Sequence, residues 1–309
     1  MTDNSQLATP ISHPQAWIES LRPRTLPLSC ASIITGSALA WWQGSFNLTT
    51  ALLALLTTVL LQILSNLAND YGDAVKGSDT PARIGPLRGM QRGVITQQQM
   101  RMAMAVAVVL SMLSGILLLL RSCKTLNDML GFILLGALAI VAAIAYTVGR
   151  KPYGYLGLGD VSVMIFFGWL GVIGSWYLQT HQLTLLPLLP ATGCGLMATA
   201  VLNANNMRDI ENDSKNGKYT LAVRLGPGRA RHYHVMLLLG AIGCFALFTL
   251  LYNPHPFGGL FLLAAPLLWQ QARYVQQEST AIAMRPLLVR TVKTALLINV
   301  LFAVGLLLS

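Results

Sequence analysis

Charge is scarce in this sequence. Only 10% of its 309 residues are Asp, Glu, Lys or Arg, against about 25% in a typical soluble domain, so a water-facing globule could not cover its surface with polar groups. Cysteine is also sparse. Cys30, Cys123, Cys194 and Cys244 stand far apart in or near apolar runs, with no C-x-x-C and no Cys/His spacing. That excludes a zinc module and a disulfide framework, and leaves the thiols as small apolar fillers. The five histidines fall in tails and loops without a ligand pattern. Residues 1–15 lack a basic stretch followed by an apolar core, so no cleavable leader is expected. The sequence also lacks a basic tail or stripe. Its net charge of +10 comes from residues set in short gaps between apolar runs, which excludes nucleic acid as a partner and fits the inner face of a membrane.

What the sequence has in abundance is hydrophobic residues, 54% of the total. Apolar runs lie near 27–43, 51–68, 103–120, 129–148, 161–178, 184–204, 234–252, 257–272 and 294–308. Most approach the roughly 20 residues that a spanning helix needs. The expected fold is therefore all-α and integral to the membrane, with about nine transmembrane helices. A single transmembrane domain over 27–309 follows a cytoplasmic or interfacial segment, 1–26, where Trp17, Ile18 and Leu21 suit a short helix lying in the interface. With that segment inside, the alternation of nine spans leaves only Arg121 and Lys124, of 21 basic residues, on outer segments. This bias supports the span count and places the N-terminus in the cytoplasm. It also puts the two long polar loops, 69–102 and 205–233, on the inner side, where long loops of this kind usually carry function.

Six of the eleven acids fall in two clusters at the entrances to those loops: Asp70, Asp73, Asp79, Asp209, Glu211 and Asp213. In the first, Asn66, Asp70 and Asp73 are spaced i, i+4, i+7, and Asn69 and Asp73 are i, i+4. In the second, Asn205, Asp209 and Asp213 are spaced i, i+4, i+8. Each set shares one helical face. Carboxylates gathered at the end of an apolar helix repel one another and lose hydration if the helices pack around them, and a divalent cation relieves both costs. Oxygen-only ligands suit Mg²⁺, which keeps waters and substrate phosphates in its shell. The interleaved bases Lys76, Arg83, Arg88, Arg208 and Lys218 suit a phosphate partner. The alternative is that these are helix-end charges paired with their basic neighbours, but acids at a membrane edge are functional by default.

At these residues the sequence resembles the membrane-embedded aromatic prenyltransferases of the UbiA superfamily, over essentially its whole length. The resemblance rests on N-D-x-x-D at Asn69–Asp73 with Asp79 downstream, and on D-x-x-x-D at Asp209–Asp213 followed by K-x-T at Lys218–Thr220. K-G-x-D at Lys76–Asp79 departs from the 4-hydroxybenzoate branch and is similar to the branch acting on 1,4-dihydroxy-2-naphthoate in bacterial menaquinone synthesis. The segments Ser20–Pro27, Arg83–Gly89, Tyr146–Gly149, Pro152–Asp160 and Asn205–Asp209 agree with that branch.

The resemblance implies nine helices around a central cavity in a bacterial cytoplasmic membrane, with the active site on the inner side. It implies Mg²⁺ held by Asn69, Asp70, Asp73, Asp79, Asp209 and Asp213, and a polyprenyl diphosphate bound by Arg24, Arg88, Arg150, Lys151, Lys218 and Asn205. Ionisation of the allylic C–O bond, attack by 1,4-dihydroxy-2-naphthoate and loss of CO₂ would follow, inside apolar walls that exclude water. Asp160 or Tyr146 would orient or deprotonate the acceptor hydroxyl; equally, Asp160 could simply cap the helix that it precedes. Within the superfamily the alternative acceptors are 4-hydroxybenzoate, homogentisate, haem or a chlorophyll precursor. An ion-coupled transporter is the rival from a different class, but it would place ionisable groups near mid-bilayer, whereas these acids lie at helix ends on one side.

The orientation has a direct check. A membrane-impermeant thiol reagent added to intact cells should label Gln182→Cys, and should label Ser214→Cys only after permeabilisation.

Overall fold

The structure is a computed structural model and describes residues 12–23, 25–78, 87–278 and 280–309. The described residues form helices and no strands. In chain order these are α1 (His13–Leu21), α2 (Leu26–Trp42), α3 (Leu48–Val75), α4 (Gln97–Ser122) and α5 (Leu126–Ala145). Then come α6 (Gly159–Thr180), α7 (Leu188–Arg208), α8 (Ile210–Lys215), α9 (Leu221–Tyr252), α10 (Ala265–Gln277) and α11 (Arg285–Leu307). Polar residues set several of the starts. Asn47 accepts from Thr50 N, Thr125 from Asp128 N and Thr220 from Val223 N, while Thr96 and Gln99 close a reciprocal capping box, each satisfying amides that the helix leaves open.

All nine apolar runs fall on helical segments. Among the described residues, six helices are long and apolar enough to cross a membrane: α3, α4, α5, α6, α9 and α11; α2 is apolar but shorter. The eighth run is not one helix. A tight 3₁₀ turn covers Pro256–Ala264 before α10 begins, because Gly258 packs so close to the Asn253 carbonyl that a Cβ there would lie 2.5 Å away. The seventh begins earlier than its apolar run, at Leu221, and breaks at Gly226, whose φ is 76°, ahead of Pro227.

Packing follows membrane rules. Apolar side chains cover the outside, so close approach of helices depends on small residues and on polar pairs. Gly168 of α6 lies against α7, where an added Cβ would sit 2.8 Å from Gly195 Cα. Thr35 donates to Asn299 at 2.7 Å between α2 and α11, and Gln179 donates to Ser37 at 3.0 Å between α6 and α2. One large core joins these helices around Trp176, Phe245, Phe248, Phe261 and Phe302. Helix α5 differs from the rest: none of its residues is buried. It is a wall with a cavity on one side and the lipid face on the other.

Gly72, within the first acidic motif, decides how that motif meets the rest of the site. A Cβ there would lie 2.7 Å from backbone atoms of Thr147, and Thr147 Oγ1 donates to Ala68 O at 2.9 Å. This contact seats the end of α5 on the end of α3. Gly72→Ala should therefore cost about 2 kcal/mol through overpacking, read as a lowered melting temperature in detergent.

Candidate active site

Helix α3 runs beside a cavity of about 1250 Å³. Its residues line that cavity at helical spacing from Ala54 to Asp73, a rise of about 28 Å at 1.5 Å per residue. One end is apolar and is closed by Ile33, Leu118, Leu119, Phe132 and Leu178. The other is lined by Arg22, Asn69, Asp70, Asp73, Arg88 and Lys218, with Asn205, Asn206 and Arg208 contributed by α7. Helices α5 and α6 form one side wall, pinned at both ends. Tyr153 Oη lies 2.9 Å from Ala142 O and 2.9 Å from Ser162 Oγ at the charged end. Tyr177 Oη donates to Asp128 Oδ1 at 2.6 Å at the apolar end.

The polar end is a network of buried charges. Asp70, 1% exposed, receives Arg22 Nη2 at 2.6 Å and has Arg88 Nε at 3.3 Å. Asp73 receives Arg88 Nη1 at 2.9 Å and the Tyr155 hydroxyl at 2.8 Å. Lys218 Nζ stands between the two ridges, 3.9 Å from Asp73 Oδ1 and 3.8 Å from Asp213 Oδ1. Asn212 Nδ2 also donates across them, to Ser78 O at 3.3 Å. On the second ridge, Arg208 holds both oxygens of Asp209, at 2.8 and 2.5 Å, and also reaches Asn205 Oδ1 at 2.8 Å. So the structure brings Asn69, Asp70, Asp73, Arg88, Lys218, Asn205 and Tyr146 to the cavity. Asp209 and Asp213 lie one side chain behind it, through Arg208 and Lys218.

Other expected site residues are elsewhere. Arg24 and Asp79 lie outside the described residues. Arg150 and Lys151 are exposed in the turn after α5 and do not line the cavity; lying beyond the helix end, they stay on the surface. Asp160 is buried but does not line the cavity either. Its carboxylate faces α9, where Tyr233 Oη donates to it at 3.2 Å. Tyr146 does line the cavity, packed against Gly159, where an added Cβ would meet its hydroxyl at 2.8 Å.

Three contributors escape a reading of the sequence. Arg22 passes for one more inner-side charge, although a left-handed backbone (φ 52°) at the end of α1 turns it onto Asp70. Tyr153 and Tyr155 pass for interfacial aromatics, but Tyr155 is only 7% exposed. Burial and the charge of Asp73 raise its pKa.

A bundle of apolar helices around a slot with a charged head and an apolar foot defines a membrane protein built for amphiphiles. The profile of the UbiA prenyltransferase family matches residues 29–308, and the chain belongs to that family. The 1,4-dihydroxy-2-naphthoate octaprenyltransferase of Escherichia coli (strain K12) is 64% identical over 299 residues, covering 97% of each chain. The 1,4-dihydroxy-2-naphthoate octaprenyltransferase of Haemophilus influenzae is 52% identical over 295 residues, covering 95% of this chain and 96% of the relative. Among solved structures, a UbiA homolog from Aeropyrum pernix K1 has a TM-score of 0.64 at 16% identity, over 96% of this chain and 99% of the other. A UbiA homolog from Archaeoglobus fulgidus bound to GPP and Mg²⁺ has a TM-score of 0.59 at 14% identity, over 93% of this chain and 99% of the other. These two likenesses establish the fold.

Asp70→Asn removes the charge that faces two guanidinium groups at a buried position. Its expected cost is about 2–3 kcal/mol, against about 0.5 kcal/mol or less for Arg150→Ala or Lys151→Ala on the surface. Melting temperatures of the purified variants check the difference.

Proposed function

We propose that this protein transfers a polyprenyl group from a polyprenyl diphosphate to 1,4-dihydroxy-2-naphthoate, with release of diphosphate and loss of CO₂, at the cytoplasmic side of a bacterial inner membrane that it crosses nine times. The observation that carries this reading is the slot itself. One continuous cavity, in all about as long as a bilayer core is thick, joins a cluster of acids and bases to an apolar tunnel, which matches a substrate with a polyanionic head and a long hydrocarbon tail. High identity over nearly full length to the Escherichia coli and Haemophilus influenzae enzymes supports the naphthoate as acceptor.

The donor set fits a magnesium–diphosphate head. Asp70 Oδ2 is buried without a hydrogen-bond partner, an arrangement that costs free energy unless a cation completes it. Among the described residues no three Asp, Glu, His or Cys side chains converge into a ready-made cage. This agrees with an ion that takes few protein carboxylates and fills its shell with waters and phosphate oxygens. The acids of the two ridges, Asp70, Asp73, Asp79, Asp209 and Asp213, with Asn69, would hold Mg²⁺ between them, partly through its waters and the diphosphate oxygens. When bound, Mg²⁺ would neutralise diphosphate and make it a better leaving group.

The chain's own residues supply the rest. Arg22, Arg88 and Lys218 present fixed positive charge to the leaving group as the allylic C–O bond ionises. Because these bases already face Asp70 and Asp73, the charge is in place before substrate arrives. Apolar walls from α5 and α6 keep water from the allylic cation, which would otherwise be quenched as an alcohol. The Tyr146 hydroxyl orients the acceptor hydroxyl from the cavity wall, and Asp160 acts from behind it through its charge.

Membranes containing the protein, supplied with Mg²⁺ and polyprenyl diphosphate, should prenylate the naphthoate and not 4-hydroxybenzoate; the reverse preference would refute the acceptor. EDTA should abolish turnover and added Mg²⁺ should restore it. Asp73→Asn and Asp209→Asn should each lower kcat/KM by about two orders of magnitude, corresponding to about 2.7 kcal/mol of lost charge stabilisation.

A further inference from the structure

Tyr155 touches both motif loops. It sits in the short turn Tyr153–Leu156 between α5 and α6. Its hydroxyl donates to Asp73 Oδ1 at 2.8 Å and lies 2.7 Å from Ser78 Oγ. The direction of these bonds is forced. An ionised carboxylate has no proton to give and a phenol has one, so that proton goes to Asp73 and the Ser78 hydroxyl donates to Tyr155. The order is therefore Ser78 to Tyr155 to Asp73.

The ring and backbone reach the second motif. Lys76 Nζ and Lys218 Nζ each lie 5.4 Å from the ring centroid, within cation–π range. Tyr155 O accepts from Tyr219 N at 3.0 Å, one residue after Lys218. The turn is braced in its turn by Arg224, which donates to Leu156 O at 2.9 Å and to Tyr219 O at 3.2 Å. A tyrosine that merely anchors a protein at the interface keeps its hydroxyl in the wet headgroup layer; this one gives its proton to a buried acid.

A hydrogen bond to one oxygen fixes the rotation of a carboxylate and leaves its remaining lone pairs pointing in a set direction. Partners of this kind orient metal ligands and tune their affinity. We infer that Tyr155, supported by Ser78, is a positioning residue: it holds the Asp73 carboxylate in the orientation that takes a divalent cation and keeps Lys218 in register with it. This rests on Asp73 being a metal ligand, as proposed above.

The test reads metal binding without turnover. Mn²⁺ is titrated into the purified full-length protein, and free Mn²⁺ is followed by electron paramagnetic resonance for wild type, Asp73→Asn, Tyr155→Phe and Ser78→Ala. The expected result is loss of tight binding in Asp73→Asn and about tenfold weaker binding in Tyr155→Phe. In the prenyl-transfer assay, Tyr155→Phe should need about tenfold more Mg²⁺ for half-maximal rate, with most of kcat recovered at saturating Mg²⁺. Wild-type binding in Asp73→Asn would instead refute the metal role of Asp73 itself. Loss in Asp73→Asn together with wild-type affinity in Tyr155→Phe would overturn the inference. Should Tyr155→Phe fail to fold, Ser78→Ala takes its place, and unchanged Mn²⁺ affinity there overturns it equally.

Discussion

The pairing of Asp70 and Asp73 with Arg22, Arg88 and Lys218 is the interaction on which the rest of the molecule depends. Acids at the end of an apolar helix carry a heavy desolvation cost, and it is met only if cations reach them in good geometry. Each cation comes from a different stretch of chain: the end of α1, the loop before α4 and the loop before α9. To satisfy two aspartates, the fold must draw three distant segments to one point, and this convergence roofs the cavity. Helix α1 is fixed for the same reason. Asn66 donates to Leu21 O at 2.9 Å, just before Arg22 meets Asp70, so the end of α1 is tied to the motif through a backbone carbonyl and a side chain.

Much of this was legible in the sequence, because two simple periodicities govern it. Apolar runs of bilayer length located the helices, and the spacing of Asn66, Asp70 and Asp73 placed them on one face of α3, the face that lines the cavity. What escaped was set by tertiary contact. Arg22 differs from Arg150 only in what it meets after folding, since both are basic residues beside a span end. Tyr155 resembles any interfacial aromatic until the turn carrying it packs between the two loops. Asp160 follows a glycine-rich turn that positions its backbone, but the face its carboxylate takes depends on Tyr233, 73 residues later. The eighth run broke because hydropathy counts Gly258 and Gly259 as neutral, whereas packing requires a tight turn there.

The bundle combines two packing regimes. Around Trp176 and the phenylalanine cluster the helices are closely fitted, with glycine, alanine and serine at the crossings. Around α5 they are not, and that helix contributes no buried residue. The closely packed half carries the second ridge and a thin wall bounds the slot. Core and cavity share a surface, since Leu28, Ala198, Val201 and Val292 belong to the large core and also line the slot.

The one-sided placement of charge also bears on how a reaction cycle ends. The head of the slot is matched to anions, and its body to hydrocarbon. In the proposed reaction a diphosphate ester and a carboxylate would both meet that head, whereas a prenylated quinol that has shed diphosphate and CO₂ would carry no anion to hold there. Turnover would then remove the feature by which the reactants are retained. What remains is a neutral, oil-soluble molecule beside a thin helical wall with lipid on its other side. Release would then follow from a change in what the ligand is, from an amphiphile with an anionic head to a neutral lipid.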